Sequence, residues 1–98
     1  MKKIRLSRLR DIGWSLWDPI GLLDKGESWE EKPFADEYDG YLRQAAARLR
    51  MQEPTDTITD YLVQIETEHM GLGPSFTARE RAIAVVEAIK NDDQFFFG

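Results

Sequence analysis

Apolar residues recur at spacings of three and four along most of the chain, and no stretch alternates as a half-buried strand would. Leu6, Leu9, Ile12, Gly13, Leu16 and Trp17 predict a first helix near residues 4–17, with these side chains as its buried stripe. A second helix is expected near residues 34–52. Its stripe is Ala35, Tyr38, Leu42, Ala45 and Leu49, with Tyr41 and Ala46 beside it. Ile58, Tyr61, Leu62, Ile65 and His69 mark a third near residues 57–70, capped by Asp56 or Thr57. Ala78, Ala82, Val85, Val86 and Ile89 mark a fourth near residues 77–91, and Thr77 and Glu80 have capping-box spacing.

The breaks between these periods are as clear as the periods. Asp18-Pro19 stops the first helix, because proline disfavours the α region for the residue before it. The same pair suits the start of a short turn over residues 19–23, with Asp18 as its cap. Lys25-Gly26-Glu27-Ser28 is a polar loop, within which Trp29 is expected to fold back on a helix face. Glu53-Pro54 and Gly71-Leu72-Gly73-Pro74 close the second and third helices. Gly13, inside a helix, costs about 1 kcal/mol relative to alanine and so points to close approach of another helix. The pattern predicts one all-α domain over residues 1–98. Its four helices run up and down with a long loop between the first two, a basic segment at residues 1–6 and an aromatic tail at 92–98.

Composition narrows the function. A hydrophobic fraction of 42% supports a globular core, and the absence of cysteine excludes disulfides and thiolate chemistry. No apolar run is long enough for a membrane span and no secretory pattern opens the chain, so a cytoplasmic protein is expected. Residues 1–10 carry Lys2, Lys3, Arg5, Arg8 and Arg10 without an acid, while the remainder is strongly acidic and the net charge is −5. Residues 18–39 hold eight carboxylates against Lys25 and Lys32. Such a body disfavours nucleic acid, which needs a basic face, and suits a basic protein.

Three strings stand out: Trp17-Asp18-Pro19-Ile20-Gly21-Leu22, Asp36-Glu37-Tyr38-Asp39-Gly40-Tyr41-Leu42, and Glu66-Thr67-Glu68-His69-Met70-Gly71-Leu72. Over roughly residues 9–89 they resemble a family of small bacterial helical domains of unknown function typified by YugE. The resemblance implies a compact all-α fold and a bacterial source. It draws attention to Trp17, Asp18, Pro19, Asp36, Glu37, Tyr38, Asp39 and His69, and carries no activity with it.

Two functional readings follow from the residues. Trp14 lies offset from the first helix's stripe and is expected to be partly exposed. With Trp17, Asp18, Trp29, Asp36, Glu37, Tyr38 and Asp39 it would form an aromatic patch rimmed by carboxylates, a surface for a basic partner such as an immunity or antitoxin-type inhibitor meets. Alternatively, Glu66 and His69 have the spacing of a helical metal-ligand pair, which with the Asp36–Asp39 face would make a small metal-dependent enzyme. The chain has a single histidine, whereas a carboxylate-bridged dimetal bundle needs a second Glu-x-x-His. No cofactor is therefore expected, and neither a phosphate-binding loop nor a serine nucleophile motif is present. Phe95-Phe96-Phe97 offers a route to self-association.

Overall fold

The computed structural model describes residues 5–23, 27–73 and 76–92. The basic start at residues 1–4, Lys25-Gly26, Pro74 and the Phe95–Phe97 tail lie outside the described residues. Among those described, helices α1 (Leu6–Leu16), α2 (Asp39–Arg50), α3 (Thr55–Gln64) and α4 (Ala78–Lys90) make up the architecture, with no strand. A 3₁₀ turn over Trp29–Glu31 precedes α2, and a π-helical turn over Ile65–His69 continues α3. No described helix is long and apolar enough to cross a membrane.

The helices close a ring. α1 packs on α2, α2 on α3, α3 on α4, and α4 returns to α1. The start of α1 meets the end of α4 through Arg8 and Asp92, and its end meets the start of α4 where Arg81 Nη1 donates to the Trp17 carbonyl. Arg48 lies over the Tyr61 ring and Tyr41 packs edge-on against His69, so α2 and α3 run in opposite directions. Leu42, Ala45, Ile58, Leu62, Ala82, Val85 and Ile89 fill the centre and are inaccessible to water. Gly13 does mark a close approach: a Cβ built there would stand 2.6 Å from Leu42 Cδ1.

Several boundaries depart from the periodic expectation, each for a local reason. α2 begins at Asp39, and residues 34–38 form successive tight turns instead of its first helical turn. The Ala35 carbonyl, which an α-helix would offer to the Asp39 amide, accepts from Trp14 Nε1 at 3.2 Å. The Asp39 amide bonds to Asp36 instead. The third helix starts at Thr55, ahead of the expected caps, with the Thr57 and Ile58 amides both donating to the Pro54 carbonyl. Its last turn is wider than an α-turn. There the Thr67 hydroxyl donates to the Val63 carbonyl, the back-bonding that bends helices, and Met70 donates five residues back to Ile65. The capping box at Thr77 does not form: Thr77 has a helical backbone instead of the extended one of an N-cap, and its hydroxyl accepts from Arg81 Nε.

Candidate protein-binding surface

The candidate surface is built upward from α1, whose C-terminal half carries two tryptophans inward. Trp14 is 5% exposed and Trp17 only 2% exposed. The expectation that Trp14 projects beside the buried stripe is thus corrected, and Leu16, expected inside, sits at the rim. The helix buries two faces, because the 34–38 turn covers the side that α2 and α4 leave open. Phe34 and Tyr38 pack on Trp14 at ring separations of 5.5 and 4.6 Å, and Tyr38 and Tyr41 pack on Trp17 at 5.3 and 6.1 Å. A continuous row of rings therefore runs from Phe34 through Trp14, Tyr38, Trp17 and Tyr41 to His69. Offset and tilted ring pairs at these distances each add about 0.5–1.5 kcal/mol beyond area burial. Trp17 Nε1 is buried with no hydrogen-bond acceptor among the described residues.

Asp18 is the hinge between α1 and this row. It takes a left-handed φ of 30°, a conformation that aspartate tolerates better than most residues, and Pro19 follows it directly. One carboxylate oxygen accepts the Leu22 amide at 3.0 Å and the Tyr38 hydroxyl at 2.8 Å, while the other accepts the Leu23 amide. The Tyr38 hydroxyl in turn accepts the Ile20 amide. Asp18 was expected to cap a new helical turn. It holds a β-turn closed by Gly21 N–H to its own carbonyl, and ties the following loop to Tyr38. Burial, and then donation to Asp18, push the Tyr38 phenol well above its ordinary pKa.

On top of this base lies the acidic face. Asp36 and Glu37 are exposed on the 34–38 turn. Asp39 is half-buried, with its two oxygens accepting from Arg10 Nε at 3.0 Å and Nη2 at 2.6 Å. Paired hydrogen bonds to Asp39 raise the Arg10 pKa, and Asp36 adds to that effect. Trp29 folds back as expected: its indole N–H donates to Asp11 at 2.7 Å and Arg10 lies over its ring. Glu27 pairs with Lys32, and the Ser28 hydroxyl contacts Glu30. Of the eight proposed contact residues, Trp29, Asp36 and Glu37 are at the surface, Asp39 and Asp18 are anchors, and Trp14, Trp17 and Tyr38 support them from the core. The sequence reading missed Arg10 and Asp11, whose place one helical turn before Trp14 was the available signal.

Glu66 and His69 are not brought together as a chelating pair. The i→i+5 winding of their turn rotates residues three apart onto different sides, leaving Glu66 2% exposed and His69 on the surface. Both Glu66 oxygens accept from Arg81, at 2.7 and 2.9 Å, in the forked geometry typical of guanidinium and carboxylate. Arg81 also reaches the Trp17 carbonyl, so this pair ties α1, the π-turn and α4 together. His69 borders a shallow depression with Gln64, Ile65 and Glu68. Among the described residues, no group of three or more histidine, aspartate or glutamate side chains is placed to hold a metal ion.

No known protein-family model, curated protein or solved structure matches this chain.

Proposed function

We propose that this chain is a non-enzymatic protein-binding module whose acidic 27–39 face receives a basic partner, in the manner of an immunity or antitoxin-type inhibitor. On this reading the four helices follow an up-and-down path and the long first connection carries the working surface. The observation that supports it is preorganisation. Asp36 and Glu37 stand exposed on a turn pinned by Trp14 at Ala35 and by Tyr38 at Asp18, so little ordering entropy opposes their use. Trp29, fixed by Asp11 and Arg10 beside them, is a rigid aromatic of the kind favoured at binding hot spots. Charge would speed the encounter and the indole would supply affinity. The kinship to YugE-like domains is part of the same proposal. The Asp18–Tyr38 bond gives a structural reason for two of the shared strings to occur together.

Affinity capture from a lysate of the encoding organism tests the reading, with wild type beside Asp36→Lys/Glu37→Lys. One basic protein retained by wild type and lost by the variant, at matched helicity, supports it. Equal capture by both baits refutes it. Asp39 is left intact because its reversal would break the Arg10 pair and confuse binding with stability.

A further inference from the structure

The outer face of α4 carries Glu80, Ile83 and Glu87 in a single line, and an exposed phenylalanine stands in the turn that leads into it. Glu80, Ile83 and Glu87 are spaced three and four apart and all are exposed; Phe76, four residues before Glu80 in the turn leading into α4, is fully exposed. Leaving all of a phenylalanine and nearly half of an isoleucine in water exposes apolar area from which the fold itself gains nothing. The unformed capping box matters here. A glutamate satisfying the Thr77 amide would curl back along the helix, whereas Glu80 makes no such bond. Among the described residues, neither Glu80 nor Glu87 forms an ion pair, while Arg79 beside them is occupied by Asp60 of α3.

We propose that this line is a second docking surface, and that it receives an amphipathic helix of a partner carrying lysine or arginine. Apolar residues one and two turns apart on such a helix would cover Phe76 and Ile83, and cations between them would meet Glu80 and Glu87. Charge decides the occupant. A second copy of α4 laid antiparallel with Ile83 on Ile83 would bring Glu80 of each copy beside Glu87 of the other, and an anionic lipid surface or nucleic acid would meet the same carboxylates. A cationic helix alone matches both the apolar and the charged positions. The surface does not depend on the 27–39 face, so failure of either leaves the other standing.

A fluorescently labelled amphipathic peptide of leucine and lysine, titrated against the whole chain and read by anisotropy, is the test; its leucine–glutamate counterpart is the control. Saturable one-to-one binding is expected. Phe76→Ser/Ile83→Ser and Glu80→Gln/Glu87→Gln should each weaken it by about tenfold or more, and Asp36→Asn/Glu37→Gln, which removes the same two charges elsewhere, should weaken it by less than about twofold. All six side chains are exposed, so none of these changes empties the core. Equal binding of the glutamate peptide, indifference to both α4 double variants, or a loss of about tenfold on neutralising Asp36 and Glu37 would each overturn the proposal. So would self-association of the wild type that Ile83→Ser abolishes, since a second copy would then be the occupant.

Discussion

The Tyr38 hydroxyl donates to Asp18 at 2.8 Å and accepts the Ile20 amide at 3.2 Å, joining the end of α1 to the start of α2 in one buried contact. Removing that hydroxyl leaves a half-buried carboxylate short of a donor and a backbone N–H without an acceptor. Tyr38→Phe should therefore destabilise the fold by about 1–3 kcal/mol, visible as a lower urea midpoint at unchanged slope. Asp18→Ala, which removes the acceptor of the Tyr38 hydroxyl together with those of the Leu22 and Leu23 amides, should cost more. The two changes together should fall short of their sum, because both break the same bond.

Alkaline pH should expose the same residue. Tyr38 is raised above the ordinary tyrosine value of 10.0 by burial and by its bond to Asp18. The unfolded chain then loses this proton first while the folded chain retains it. Its contribution is complete below pH 10 and is lost as pH rises beyond it, with a slope approaching about 1.4 kcal/mol per pH unit. Tyr61, half-buried and also raised by burial, adds a smaller share of the same sign. Urea melts from pH 8 to 11 should show this loss, and Tyr61→Phe should reduce it without abolishing it.

At Gly13 two effects oppose each other. Alanine favours the helix by about 1 kcal/mol, but its Cβ would meet Leu42 Cδ1 at 2.6 Å, and Leu42 is fully buried. Overpacking typically costs about 1–3 kcal/mol, so Gly13→Ala should be net destabilising. Leu42→Ala in the same chain should reverse the sign of the Gly13 substitution. Thermal melts of the wild type, the two single variants and the double variant decide it.

The two kinds of tryptophan should separate cleanly. Trp14→Ala empties a core position and should cost about 3–5 kcal/mol. Trp29→Ala, which removes one hydrogen bond and a stacked guanidinium at the surface, should cost about 1–2 kcal/mol. In iodide quenching, Trp29 should account for most of the accessible emission.

What the sequence revealed and what it hid have physical reasons. Gly13's contact, the helix stops at Asp18-Pro19 and Pro54, and the return of Trp29 to α1 were legible because each depends on one residue's own chemistry. Trp14 was not. Its burial depends on the 34–38 turn folding over it, and that turn in turn is not helical because Trp14 claims the Ala35 carbonyl. Neither half of that exchange is visible in a helical period. The burial of Glu66 was hidden for a similar reason: a π-turn, within which the Thr67 hydroxyl donates to Val63, rotates it inward, and its partner Arg81 lies on another helix. The acidic 27–39 stretch was legible as charge, but which carboxylates stay exposed required knowing that Arg10 takes Asp39.

Native-state amide exchange of the 34–38 turn is the most direct test of the claim that the acidic face is held in shape before a partner arrives. The Ala35, Glu37 and Asp39 amides bond to Lys32, Phe34 and Asp36. If the Trp14 and Tyr38 anchors hold the turn closed, these amides exchange at least roughly a hundredfold slower than in an unstructured chain. Exchange at the unstructured rate, with the α3 and α4 amides still protected, would contradict the account.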